Sequence, residues 1–352
     1  MVKVGTNVLS KDGGVDTDFL GVIAGQIAEL MRQQRQVILV TSGAIGMGKG
    51  ALGIPSQIKD VKKRQVCAAV GQGILMHHYQ QAFSAHGQKV GQVLLTYANF
   101  NNRKYYVNLK NTMETLLSMK IVPIINENDC VSIDEIDLAF GDNDKLSALV
   151  ASKIDAQLLI MLTDVAGLYD KNPRTSQSAQ LIPVVYEITR QIETMAGKAG
   201  SALGTGGMAS KLEAIRIAAH GGCKVVLAAG REKDVILRII AGEEIGTLFL
   251  PKQRLSNRKR WILNCPAQGR IEIDAGAAAA LRNRKSLLLE GITGATGKFR
   301  AEEVVQIGAT AKGIVEVSAG ELTALLEEKE KNQPQPRKVI VHADNLVLLE
   351  QG

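Results

Sequence analysis

Asn126 to Ala151 reads NENDCVSIDEIDLAFGDNDKLSALVA, and the fold is decided by how this stretch is read. It follows an apolar run, Ile121-Val-Pro-Ile-Ile125, with the character of a buried strand. It passes into a helical pattern with apolar Leu146, Leu149, Val150 and Ile154. Between strand and helix stand two polar clusters, Asn126-Glu-Asn-Asp129 and Gly141-Asp-Asn-Asp144. Asn and Asp compete for nearby backbone groups, so they belong at strand ends and helix caps rather than in element interiors. Asp142, Asn143 or Asp144 could cap the helix. One such cluster is ordinarily an Asx-turn or a cap. Two of them around one loop, at the carboxyl end of a predicted strand, occupy the edge where open α/β sheets bind ligands. Acceptor-only side chains there suit an ammonium group or a hydrated metal.

Towards the amino terminus, Val2-Lys-Val4 predicts a short strand interrupted by a lysine. Gly5-Thr-Asn7 follows, where a tight turn could aim N–H groups at an anion beside Lys3. A lysine in that position is otherwise a solvated edge residue. Asp16 to Gln34 carries Phe19, Leu20, Ile23, Ile27, Leu30 and Met31 at helical spacing, with Asp16 or Thr17 as cap. Val37-Ile-Leu-Val40 predicts a buried parallel strand ending in Thr41-Ser-Gly-Ala-Ile-Gly46. This layout makes either an anion site or a plain strand–helix turn. Residues 60–86 predict a helix whose His77, His78 and His86 lack carboxylate partners at useful spacing. Val90 to Thr96 predicts a strand and Val107 to Met119 a helix. Strands alternating with helices predict a parallel sheet covered on both faces.

Towards the carboxyl terminus, Gln157 to Leu162 predicts another buried strand, ending in Thr163-Asp164. Gly204-Thr-Gly-Gly-Met-Ala-Ser-Lys211 opens a further helix. Its glycines allow close backbone approach, and Lys211 adds a point charge, so it is a candidate phosphate cradle as well as a candidate hinge. Neither the Walker A spacing nor the dinucleotide fingerprint is present. Lys224 to Ala229 predicts the last strand of this sheet. The basic run around 251–260 reads as a linker. Beyond it Arg270–Asp274, Gly313–Val317 and Lys338–His342 predict a small β-rich domain.

The chain has 352 residues, enough for two domains, with 45% hydrophobic residues and 35 glycines, which excludes a disordered chain. Aromatics at 4% argue against a surface that stacks single-stranded nucleic acid. A net charge of +7 fits anionic small molecules or a basic patch. Cys67, Cys130, Cys223 and Cys265 form no CxxC pair, which predicts neither a zinc site nor a disulfide framework and points to the reduced cytoplasm. No apolar run reaches membrane-spanning length, and no membrane role is expected.

With these pieces in order, the chain resembles the amino acid kinase family, in its glutamate 5-kinase branch. The motifs that carry the resemblance are VKVGTNVL, VTSGAIGMG, CAAVGQG, PIINEND, FGDNDKLSALVA, LTDVAGLYDKNPR and GTGGMASK, in the family's order across residues 2–250. The tail resembles the PUA domain of bacterial glutamate kinases through NRKRWI, GRIEIDAGAAAAL, SLLLEGI and VHADNLV. The resemblance implies a three-layer α/β sandwich around a mainly parallel sheet (1–250), the basic linker (251–260) and a small β-rich PUA-like domain (261–352).

It also implies transfer of the ATP γ-phosphoryl group to the side-chain carboxylate of L-glutamate, at the entry to proline synthesis. Carried over by motif, Lys3 and Lys211 hold the transferring group and Asp144 orients them. Ser42, Asp129 and Asn143 bind glutamate. Thr163, Asp164, Lys3 and the run Thr205, Gly206, Gly207, Met208, Ala209, Ser210 and Lys211 bind ATP. Magnesium is expected to arrive with the nucleotide, its protein ligands unknown. A homo-oligomer (dimer or tetramer), a hand-off to glutamyl phosphate reductase and a weak RNA contact through the tail are further implied partners. The loop between the two acidic clusters is longer than in many relatives and reads Glu135-Ile-Asp-Leu-Ala where a basic residue is common. A kinase for another small carboxylate, or a decayed kinase that binds RNA, are the alternatives.

Overall fold

The computed structural model describes residues 1–11, 14–54, 58, 60–101, 103–131, 143–173, 175–196, 207–251, 254–330 and 338–349. The chain divides into two compact units, Met1–Arg254 and Leu255–Gly352.

The first unit is built on eight strands: β1 (Val2–Val4), β2 (Leu39–Val40), β3 (Lys89–Leu95), β4 (Ile121–Glu127), β5 (Leu158–Thr163), β6 (Val184–Val185), β7 (Lys224–Ala229) and β8 (Thr247–Phe249). They lie in the order β3-β4-β2-β1-β5-β7-β8-β6. The pairs from β3 through to β7 are parallel, and β8 runs antiparallel to β7. Lys224–Ala229 is therefore not the last strand, as the sequence predicts. With three residues, and two in the strand it pairs with, β8 and β6 are too short to show a two-residue period.

The longer helices of this unit are α1 (Thr17–Arg32), α2 (Ala44–Ala51), α3 (Val61–Ser84), α4 (Arg103–Ser118), α5 (Asp144–Lys153), α6 (Met208–His220) and α7 (Val235–Ala241). Successive strand residues point to opposite faces, and the two faces have separate cores. Val2, Val4, Leu39, Ile160 and Leu162 pack with α1, α3 and α7. Val40, Ile125 and Met161 pack with α5 and α6. Lys3 pairs in register with Val40 and Met161, so the alternation turns it towards α5 and α6.

Asp16 caps α1, accepting a hydrogen bond from the Phe19 N–H at 3.0 Å. Arg231, just beyond β7, holds the same carboxylate at 2.6 Å and donates to the Val8 carbonyl at 2.8 Å. The hydrogen bond from Arg231 is the main reason the Asp16 carboxyl lies below its ordinary pKa.

α2 and α3 meet backbone to backbone. A Cβ placed on Gly48 would lie 1.8 Å from the Cys67 carbonyl oxygen, and one on Gly71 1.8 Å from that of Ala44. Only glycine permits this approach.

In the second unit five strands lie in the order Ile292–Gly297, Gly269–Ile273, Val304–Ile307, Ala311–Ile314, Leu346–Leu348. Ile271, Leu281, Val305, Ile307, Leu322 and Ile340 are among its core residues. The end of the basic run, from Asn257 to Arg260, belongs to a helix of this unit, Asn257–Asn264, with Arg260 buried.

Candidate active site

The carboxyl ends of β1, β2, β4, β5 and β7 share one edge of the first sheet. The strand order reverses across β1, with β2 on one side and β5 on the other. Ligands of open α/β sheets bind at such a point, because the loops diverge there and leave a crevice.

Beside this edge Asp144 lies between two lysines. The Lys3 ammonium is 2.6 Å from Asp144 Oδ1, and that of Lys211 is 3.1 Å from Asp144 Oδ2. Lys3, Asp144 and Lys211 are 1%, 2% and 4% exposed, so each charge is held away from bulk water. Burial alone would raise the Asp144 carboxyl. The charges of Lys3 and then Lys211, with their hydrogen bonds, outweigh it and hold the group below the usual carboxylate range. Asp144 is also in the first turn of α5, where the helix dipole favours an anion. Each oxygen of one carboxylate thus carries one ammonium, which sets the spacing between the two cations.

Lys211 comes from the first turn of α6. Gly207 is the N-cap of that helix, and no side chain caps it. Lys211 N bonds back to Gly207 O, so the N–H groups of Met208, Ala209 and Ser210 precede the first helical bond, a layout that suits phosphate oxygens. At the end of β5, the Thr163 hydroxyl donates to Asp164 Oδ1 at 3.0 Å, and Asn7 Nδ2 donates to Oδ2 at 3.4 Å. Burial tends to raise the Asp164 carboxyl, but these bonds and the charge of Lys211 lower it on balance. Lys145 on α5 pairs with Glu213 on α6 at 3.4 Å, tying together the two helices that carry Asp144 and Lys211.

On the β2–β4 side the polar groups form a chain. Asn143 Nδ2 donates to the Thr41 carbonyl and, at 2.6 Å, to Asn126 Oδ1. Asn126 Nδ2 donates to Gln72 Oε1 at 2.7 Å. The Thr41 and Tyr79 hydroxyls lie 2.7 Å apart. Ser42 is buried next to Gly43, whose φ of +101° makes the turn into α2. Asp129 lies half-buried in a turn beyond β4, closed by the Val131 N–H donating to the Asn128 carbonyl at 3.1 Å.

The family model described as the amino acid kinase family matches residues 1–229, and that of the PUA domain matches residues 269–333. The glutamate 5-kinase of Methanosarcina barkeri is 45% identical over 335 residues, covering 92% of this chain and 88% of that protein. The glutamate 5-kinase of Syntrophus aciditrophicus is 42% identical over 365 residues, covering all of this chain and 94% of that protein. The chain belongs to the amino acid kinase family. Among solved structures, the UMP kinase of Bacillus anthracis superposes with a TM-score of 0.50 at 15% identity, covering 72% of this chain and 96% of that one. At that identity the likeness concerns the fold.

As an amino acid kinase the chain brings Lys3, Asp144 and Lys211 into direct contact, and Asn143 into contact with the strand end that precedes Ser42. Thr163 and Asp164 stand at the neighbouring strand end. Gly207, Met208, Ala209 and Ser210 open α6, while Thr205 and Gly206 lie outside the described residues, as does the long loop from Ser132 to Asp142. Two local expectations change. The Gly5 N–H donates to the Leu162 carbonyl at 3.1 Å, within the sheet rather than towards an anion. Asn143 is the N-cap of α5, yet its side chain makes no cap bond, and its Nδ2 donates instead to Thr41 and Asn126. Gln72 and Tyr79 join the site without having been singled out, whereas Asn126 and Asn7 belong to the first polar cluster and to the Gly5–Asn7 turn. The CAAVGQG motif contains Gln72, but nothing in the sequence places it against Asn126. Among the described residues no group of three or more His, Cys, Asp or Glu could hold a metal ion, and no helix is long and apolar enough to cross a membrane.

Proposed function

We propose that this chain transfers the γ-phosphoryl group of ATP to the side-chain carboxylate of L-glutamate, giving L-glutamyl 5-phosphate, the first step of proline biosynthesis. The observation that carries this reading is the buried Lys3–Asp144–Lys211 cluster. The names of the 40–45% identical relatives supply the substrate. ATP brings the phosphoryl group, and Mg²⁺ bound to its phosphates neutralises part of their charge. Lys3 and Lys211 face the equatorial oxygens and offset the charge that develops there. Asp144 holds both ammonium groups at fixed spacing before substrate arrives, so little reorganisation is needed. The γ-carboxylate is already an ionised nucleophile, so the residues need only align it, and no general base is required. Ser42, Asn143 and Asp129 hold the amino acid, with Asp129 suited to its ammonium. Thr163, Asp164 and the start of α6 hold the nucleotide.

Hydroxamate formation from ATP, magnesium and hydroxylamine tests the reading. A signal with L-glutamate, and none with L-aspartate or N-acetylglutamate, is expected. A signal with another acid alone would move the assignment to a kinase for that carboxylate. No signal from folded, ATP-binding protein would leave the decayed kinase, for which RNA binding by the tail is the next measurement.

In the same reading the enzyme is a dimer or tetramer built through its kinase unit, checked by sedimentation. Its labile product is handed to glutamyl phosphate reductase, checked by coupled flux. It works in the cytoplasm, for which the free cysteines are support.

A further inference from the structure

The amide groups of the β2–β4 side fix one another's orientation. The Thr41 carbonyl can only accept, so the Asn143 atom that meets it is Nδ2. That same Nδ2 donates to Asn126, and the Glu127 N–H donates to the same Asn126 atom at 2.9 Å, so this atom is Oδ1. Asn126 therefore presents Nδ2 to Gln72, which must answer with Oε1. No alternative assignment of amide oxygen and nitrogen satisfies all four contacts. Gln72 Nε2 is left as the open end of the chain. Gln72 is 8% exposed, and among the described residues its Nε2 has no hydrogen-bond partner. A buried amide donor left unmade costs about 1–3 kcal/mol. It persists here because Gln72 is immobilised on both sides. Asn126 holds its oxygen, and Gly71 presses its helix against Ala44.

An open donor in a substrate site calls for an acceptor, and a carboxylate oxygen is the strongest one an acidic amino acid offers. Two amides, Asn126 and Asn143, separate Gln72 from Asp144 and the lysines. The reacting carboxylate must lie at the lysines, which leaves the carboxylate at the other end of the substrate for Gln72. Resting on the glutamate kinase reading, we propose that Gln72 Nε2 binds the α-carboxylate of the substrate and so helps set which acids are accepted.

Gln72→Glu tests this directly. It is isosteric, keeps an oxygen for Asn126 Nδ2, and replaces only the open donor with an anionic acceptor. Steady-state kinetics of the full-length variant should show the glutamate KM raised about tenfold or more, with kcat within about threefold and the ATP KM unchanged. A glutamate KM within about twofold of wild type would overturn the proposal, as would a loss confined to kcat, which would place Gln72 at the reacting group. If the Glu variant does not fold, Gln72→Met is judged by the same KM-selective criterion. Failure of the wild-type protein to form glutamyl hydroxamate would instead refute the function itself, before any variant is compared.

Discussion

Lys3 and Asp144 meet at 2.6 Å on the α5–α6 side of the sheet, one from the central strand and the other from the first turn of α5. Neither is exposed beyond 2%. Asp144→Asn keeps the shape and removes the charge that separates two ammonium groups. Breaking a buried ionic cluster by removing one partner costs about 3–5 kcal/mol. Urea denaturation should show a loss of that size, and kcat should fall by about a hundredfold or more as the lysines lose their fixed spacing.

The lowered Asp144 carboxyl also sets a pH dependence. Its folded pKa is below the unfolded one, so between the two values the unfolded chain binds the extra proton. The stabilisation is complete above the unfolded carboxylate value, about 3.9, and is lost as pH falls through the folded value. Denaturation curves between pH 5 and pH 3 (roughly the window around that value) should steepen in the wild type and flatten in Asp144→Asn. Equal slopes would mean that Asp144 is not the linked group.

Lys211→Ala removes a cation that faces the transferring group. If its contact strengthens in the transition state, kcat should fall by about two orders of magnitude or more, with a smaller change in the glutamate KM. A loss of glutamate affinity alone would take Lys211 out of the phosphoryl site.

Asp129 lies half-buried in the turn beyond β4. Asp129→Ala should raise the glutamate KM about tenfold or more, the usual scale for a lost charged hydrogen bond, and leave the ATP KM unchanged. An unaltered glutamate KM would show that the substrate ammonium sits elsewhere.

Gly71 and Gly73 give a matched pair on one helix. A Cβ at Gly71 meets the Ala44 carbonyl and the Gly48 N–H, both rigid backbone, whereas at Gly73 nothing lies within 4 Å. Gly71→Ala should destabilise by about 1–3 kcal/mol, the range for overpacking, and raise the glutamate KM by shifting Gln72. Gly73→Ala should stabilise by about 0.5–1 kcal/mol, because alanine is the better helix former. Thermal melts of the two variants should move in opposite directions.

The elements of the kinase unit were legible wherever the hydrophobic period ran long enough. Of the two cap candidates, Asp16 and Thr17, it is Asp16 that accepts the Phe19 N–H. The apolar run from Ile121 was read as a strand, and it extends to Glu127. Lys3 looked as much like a solvated edge residue as a functional one, because a three-residue strand does not reveal that it will lie mid-sheet with β2 and β5 on either side. The sequence offers Asp144 as a helix cap and Lys211 as a phosphate-binding charge, motif resemblance alone joins them in one role, and their contact follows from the packing of α5 on α6. Gln72 and Tyr79 were not legible as site residues. Their partners, Asn126 and Thr41, are reached only because α3 packs tightly on α2, through glycines whose role depends on a tertiary contact. The short strands β6 and β8 escaped because two or three residues carry no period.

Strand β1 precedes both of its neighbours in the chain, pairing with Leu39–Val40 on one side and Leu158–Thr163 on the other. Pairings between such distant segments form slowly, since the intervening chain must be ordered first. Lys3 reaches its counterion only after α5 has packed on the sheet, and the second cation waits for α6. A denatured chain returned to native buffer should therefore show no early fraction of turnover. Enzyme activity should reappear as one late phase, together with closure of the central sheet.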